Sequence, residues 1–130
     1  MKKIICLIVA VIALVSCQAQ QKEQSVMLVK PTVFSEKMAE HKGQLVDVRT
    51  PTEYKQGYIK DAVNIHLYDK DFEQRIEQLD KTKPLYVYCK AGGRSAEAVA
   101  IMKEKGFTSI IELDGGMDAW TEAKKPVVKQ

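Results

Sequence analysis

From residue 26 onward, short apolar runs alternate with stretches whose apolar residues recur at helical spacing, and this alternation constrains the fold more than any other feature of the chain. It predicts strands over 26–29, 44–47, 62–65, 85–88 and 109–112, and helices over 33–41, 52–56, 72–79, 95–105 and 117–123. Strand–helix–strand units at this spacing join neighbouring strands through crossovers, which brings them into parallel register. The expected class is α/β: a mostly parallel central sheet with helices on both faces. Leu85-Tyr86-Val87-Tyr88 is apolar or aromatic on both faces, as a central buried strand requires, and Pro84 opens it. Gly106 follows Lys103 and Lys105 as a helix stop, and Gly115-Gly116 marks a tight turn before the last helix.

A chain of 130 residues, 45% apolar and 28% charged, has the size and composition of one globular domain with a real core. Its formal charge of +3 is concentrated at the start. With Lys2 and Lys3 set aside, 18 basic residues face 17 acidic ones, and no basic surface of the kind that binds nucleic acid is expected.

The N-terminus is expected to lie outside the fold. Lys2 and Lys3 precede an apolar run over 4–15 that ends in Leu14-Val15-Ser16-Cys17, the pattern of a secretory signal and too short to span a bilayer. The ending resembles a bacterial lipoprotein signal, which implies cleavage after Ser16 and acylation of Cys17. The expected organisation is a signal over 1–16, the lipidated Cys17 with a polar tether to residue 25, a domain over 26–125 and a tail over 126–130. On this reading the protein is exported, held to a membrane by its N-terminal lipid and faces the periplasm.

The cysteines then become informative. Cys6 leaves with the signal and Cys17 is blocked by lipid, so Cys89 is left as a free thiol without a disulfide partner. In an oxidising compartment such a thiol is a liability unless it is buried or used. Cys89 stands where the central strand ends, followed by Lys90-Ala91-Gly92-Gly93-Arg94 and a helix expected to open at Ser95. Ligands of open parallel sheets bind outside the carboxyl ends of the strands, and the start of the next helix offers unpaired N–H groups. Gly92 and Gly93 can both adopt positive φ and turn backbone N–H groups onto one point, while Arg94 and Lys90 add positive charge. The combination is a cradle for a thiolate and for a small anion beside it. A small buried hydrophobe at a strand end is the bland alternative for Cys89, and a surface ion pair that for Arg94.

These residues, in order, resemble the single-domain rhodanese (sulfurtransferase) family. The marks are Leu45-Val46-Asp47-Val48-Arg49 with Glu53-Tyr54, then Gly57-Tyr58-Ile59-Lys60-Asp61-Ala62-Val63-Asn64-Ile65, the loop from Cys89 to Ser95, and Leu113-Asp114-Gly115-Gly116 with Trp120. The resemblance covers nearly all of the domain. It implies transfer of sulfane sulfur from an anionic donor such as thiosulfate, through a persulfide on Cys89, to a thiol or protein acceptor, with no cofactor. It further implies that Lys90, Ala91, Gly92, Gly93, Arg94 and Ser95 bind the donor. Two departures stand out: Tyr58 where the family usually has His, and Asp61 where it has Gly.

Asp47, Arg49 and Glu53 are expected to brace the site, Arg49 pairing with Glu53. His66 follows a predicted strand and could approach the pocket, His41 ends a helix, and Trp120, Tyr86 and Tyr88 are expected in the core. The cysteines, histidines and carboxylates do not cluster as metal ligands. Two competing functions remain open. One is a cysteine phosphatase or arsenate-type reductase on the same loop, although four residues separate Cys89 from Arg94 where the phosphatases have five. The other is a non-enzymatic module that holds a persulfide or a partner.

Overall fold

The computed structural model describes residues 23–130. Its elements run β1 (Ser25–Val29), α1 (Pro31–Glu40), β2 (Gln44–Asp47), α2 (Pro51–Gln56), β3 (Val63–Asn64), α3 (Phe72–Ile76), β4 (Leu85–Tyr88), α4 (Gly93–Glu104), β5 (Ser109–Leu113) and α5 (Gly116–Glu122). The strands form one sheet in the order β1-β5-β4-β2-β3, and every pairing between them is parallel. The α/β expectation holds, with a wholly parallel sheet among the described residues. The expected signal peptide and Cys17 lie outside those residues.

β4 occupies the centre, and its alternation divides the core. Leu85, Val87 and Cys89 join Val46, Val48 and Ile110 against Phe72 and Ile76 of α3 and Ala98, Val99 and Met102 of α4. Tyr86 and Tyr88 face the other way, toward Phe34 of α1, Ile111, Leu113, and Met117 and Trp120 of α5. All four residues of β4 are at most 1% exposed, and burying an aliphatic or aromatic side chain so completely stabilises the fold by about 1.5–3 kcal/mol each. Phe34 meets Tyr86 and Trp120 edge to face, at ring separations of 5.5 and 6.3 Å.

The sheet order places the site. The chain leaves β4 toward β5 on one side, whereas it leaves β2 toward β3 on the other. Connections therefore diverge from the carboxyl ends of β2 and β4, and a crevice opens between them.

Several boundaries depart from the sequence reading for local reasons. Gly92 O accepts the Ala96 N–H at 3.1 Å, so α4 starts at Gly93, two residues earlier than expected. α3 is shorter than expected because Gln78 and Leu79 turn back onto Arg75 and Ile76 at i−3 spacing. The segment 126–130, expected as a tail, is pinned to the domain. Tyr58 and Val128 exchange backbone hydrogen bonds of 2.9 Å in both directions, and Trp120 Nε1 donates to Pro126 O at 2.8 Å.

Candidate functional site

Cys89 is the first residue past β4 and is 1% exposed. Two helices converge on the loop it begins. The Cys89 and Lys90 carbonyls accept the N–H groups of Met117 (2.8 Å) and Asp118 (3.0 Å), first-turn donors of α5 that a helix cannot satisfy internally. This approach explains Gly116. Its φ is +55°, and a Cβ there would collide with the carbonyl oxygens of Cys89 and Lys90.

On the sulfur side, the Gly92 N–H donates to Cys89 Sγ at 3.0 Å. Gly92 reaches this geometry at φ +122°, a conformation that side-chain-bearing residues rarely adopt. The expectation of two positive-φ glycines is corrected here: Gly93 is the first residue of α4 and helical. No side chain caps α4, which leaves its first-turn N–H groups available, and a Cβ on either Gly92 or Gly93 would meet nothing within 4 Å. Open space therefore lies over the loop, with Ala91 exposed beside it. Ser95, expected to open the helix, lies inside its first turn and is buried, with Oγ 3.5 Å from Cys89 Sγ.

The charged groups pair differently from the sequence reading. Glu53, the expected partner of Arg49, instead holds Arg94 in a two-pronged bridge, Nη1 to Oε2 at 2.7 Å and Nη2 to Oε1 at 2.9 Å. The reason lies in α2. Thr50 and Glu53 form a reciprocal N-terminal cap, Thr50 N–H to Oε2 at 3.0 Å and Glu53 N–H to Thr50 Oγ1 at 3.2 Å, which fixes the carboxylate in reach of α4. The Arg94 guanidinium, with help from Thr50, holds the Glu53 carboxyl down at about 2, and Glu53 raises Arg94 in turn.

Arg49, in the bend just past β2, turns back to Asp47 at the strand's end. Nη2 meets Oδ2 at 2.6 Å, Nε meets both carboxylate oxygens at 3.0 Å, and Nη2 also donates to Gly57 O at 2.7 Å. Both residues are buried, Asp47 at 0% and Arg49 at 5% exposure. Burial opposes the Arg49 charge, but Asp47 outweighs it and the net displacement is upward. The guanidinium lies 5.6 Å from the centre of the Tyr88 ring, whose hydroxyl accepts the Ile59 N–H at 3.1 Å. This cluster ties the ends of β2 and β4 together.

Lys90 reaches away from the sulfur to Asp118, at 2.9 and 3.0 Å. Both cations of the loop are thus matched by carboxylates, and the unpaired positive character facing the crevice comes from backbone N–H groups. A cavity of about 540 Å³ adjoins the loop between α2 and α5, lined among others by Arg49, Glu53, Lys90 and Asp118. His66 pairs with Asp69 at 3.1 Å and packs edge-on to Tyr68. Tyr58 stacks on Tyr54 at 4.1 Å, and Asp61 takes φ +71°, a left-handed turn that Asp tolerates better than most residues. Among the described residues no three His, Cys, Asp or Glu side chains are grouped to hold a metal.

One buried group escaped the sequence reading. Glu112, 7% exposed, accepts the Ser95 hydroxyl at 2.7 Å. It lies two residues beyond Ile110 and so shares its inward face; a charged residue at that register of an apolar strand was the available signal.

A family model described as the rhodanese-like domain matches residues 30–123. A sulfurtransferase of Allochromatium vinosum is 34% identical over 84 residues, covering 65% of this chain and 77% of that one. The thiosulfate sulfurtransferase GlpE of Pseudomonas syringae is 33% identical over 90 residues, 69% of this chain and 83% of its own. Among solved structures, a rhodanese-related protein from Thermoplasma volcanium superposes with a TM-score of 0.70 at 30% identity, covering 80% of this chain and 99% of the other. With a cysteine at the end of the central strand and a glycine amide turned onto its sulfur, this chain belongs to the rhodanese-like family.

Proposed function

We propose that the protein is a sulfurtransferase that takes sulfane sulfur from an anionic donor such as thiosulfate and passes it, through a persulfide on Cys89, to a nucleophilic acceptor. One observation carries the reading: the Gly92 N–H at 3.0 Å from Cys89 Sγ, in a loop that leaves open space beside uncapped helix N–H groups. In the first half-reaction the Cys89 thiolate attacks the outer sulfur of thiosulfate. A bond forms between Sγ and that sulfur as the S–S bond of the donor breaks, and sulfite departs with the bonding pair. Backbone N–H groups of the loop and of the first turn of α4 hold the donor anion and the charge that builds on the leaving sulfite. In the second half-reaction an acceptor thiolate or other nucleophile takes the outer sulfur and restores the Cys89 thiolate. The named activities of the relatives support the class of reaction, and the four-residue spacing from Cys89 to Arg94, with Arg94 engaged by Glu53, favours it over phosphoryl transfer.

Intact-mass measurement tests the reading. Incubation with thiosulfate should add one sulfur atom to the wild-type chain and none to Cys89→Ser, and a thiol or cyanide acceptor should remove it. An unchanged mass in folded wild-type protein defeats the proposal.

The same reading places the protein outside the cytoplasm, tethered through lipid on Cys17. Its support is the sequence alone: Lys2, Lys3, the apolar run and Leu14-Val15-Ser16-Cys17.

A further inference from the structure

Glu112 is a buried carboxyl for which the sulfur-transfer chemistry has no use. It sits on β5 opposite Val87 of β4 and Leu28 of β1, is in no ion pair among the described residues, and takes its side-chain hydrogen bond from Ser95 alone among them. A carboxylate buried with a single hydroxyl donor is costly, and burial pushes this carboxyl above its ordinary range despite that bond. Glutamine has the same shape, would satisfy Ser95 equally and would carry no charge to bury. Packing alone therefore does not account for an acid here.

The neighbour of Ser95 on its other side is the nucleophile. Ser95 Oγ lies 2.7 Å from Glu112 Oε2, 3.1 Å from Gly92 O and 3.5 Å from Cys89 Sγ, and it has one proton to give. With Glu112 ionised, that proton goes to the nearest and most basic acceptor, and the hydroxyl oxygen faces Cys89 as an acceptor for S–H. With Glu112 protonated, its O–H donates to Ser95 Oγ, and the Ser95 proton is free to turn to a sulfur anion. Thiol with carboxylate, and thiolate with carboxylic acid, each satisfy all three side chains. Two anions together would compete for one proton.

We infer that Glu112 is a positioning residue that acts through the Ser95 hydroxyl to set whether Cys89 is held as thiol or thiolate, the three side chains sharing a single negative charge. Ionisation of Cys89 breaks its S–H bond and passes the proton to Ser95 Oγ while Ser95 passes its own to a Glu112 oxygen. Ser95 ends neutral and the net charge is unchanged. The groups facing Glu112 are few: Ser95 from α4, Cys89 beyond β4 through that hydroxyl, and just past the end of its own strand Asp114, which bridges to Lys30 beyond β1 at 3.7 Å. This deepens the reading of Cys89 as the sulfur carrier, and the readout below does not require turnover.

The test is the pH profile of iodoacetamide alkylation at Cys89, followed by mass spectrometry on the peptide that contains it, in the full-length chain. Glu112→Gln keeps the shape and a hydrogen-bonding partner for Ser95 Oγ but removes the negative charge, as protonation of the acid does. Its alkylation midpoint should fall by about one pH unit, the size expected when a nearby negative charge is removed. In a Ser95→Ala background the same substitution should move the midpoint far less. An unmoved midpoint in Glu112→Gln overturns the inference, as does a shift that survives undiminished without the hydroxyl. Should the variants fail to fold, the wild-type chain provides a second check. The carboxyl carbon of Glu112, followed by NMR against pH, should titrate at a different midpoint once Cys89 is alkylated, and an identical titration refutes the link. Loss of sulfur transfer with an intact Glu112 effect on alkylation would sink the proposed function and leave this inference standing.

Discussion

The bridge between Glu53 and Arg94 makes a quantitative prediction, because it removes from the crevice the guanidinium best placed to bind an anion. Glu53→Gln deletes the charge yet keeps a carbonyl oxygen that can accept the Thr50 N–H, so the cap of α2 survives while the grip on Arg94 is lost. If the carboxyl's displacement from 4.5 to about 2 were expressed in full, its contacts with Arg94 first and Thr50 second would together contribute roughly 3 kcal/mol at neutral pH. The two side chains keep 22% and 27% of their surface, and solvent screening brings the expected loss to about 1 kcal/mol. The sign follows from the direction of the shift. A carboxyl held low in the folded state stabilises it fully above its unfolded value near 4.5, and that contribution disappears as pH falls through the folded value near 2. Urea unfolding should therefore separate the variant from wild type at pH 7 and bring the two together toward pH 2. Activity should move the opposite way. With Arg94 released and a carboxylate removed, the thiosulfate KM should fall by about three- to tenfold, or about 0.6–1.4 kcal/mol of added donor binding, less than a full charge-assisted hydrogen bond. An equal stability gap at both pH values would show that the loss comes from the α2 cap rather than the charge. A KM that rises would show that Arg94 serves the site only while Glu53 holds it.

Three further outcomes are expected. Asp47→Asn strands the buried Arg49 charge, so urea unfolding should show a loss of about 3–5 kcal/mol, whereas the double variant Asp47→Asn, Arg49→Met should recover much of it; equal losses in both would mean that the ion pair is not the reason. Gly116→Ala must push α5 off the carbonyls of Cys89 and Lys90, so sulfur transfer should drop at least as steeply as thermal stability, and a variant with wild-type melting and rate would refute the close approach. The full-length chain should partition into detergent, while Cys17→Ala should lose the lipid mass and become soluble or remain unprocessed; a wild-type chain cleaved elsewhere and free of detergent would remove the anchor.

What could be read from the chain, and what could not, divides along a physical line. The α/β architecture was legible because the two periodicities are local: Leu85, Val87 and Cys89 alternate with Tyr86 and Tyr88 whatever the rest of the molecule does, and only a central strand can be apolar on both sides. The loop was legible for the same reason, since a cysteine before two glycines and an arginine can be placed at a strand end from near neighbours alone. The conformation of Gly93 was not, because it depends on where α4 starts, and that is decided by one hydrogen bond from Ala96 to Gly92. Charge partners were less legible still. Glu53 has Arg49 four residues away and Arg94 forty-one residues away, and nearness in the chain favours the first; the choice is made by the Thr50 cap, which turns the carboxylate across the crevice. Lys90 and Asp118, and Ser95 and Glu112, are likewise brought together by tertiary packing alone. A sequence shows which cations a site possesses, but their availability depends on which carboxylates the fold delivers to them. In this protein the fold delivers one to each cation of the loop, so the attraction for an anion beside Cys89 rests on peptide N–H groups, which no side-chain inventory counts.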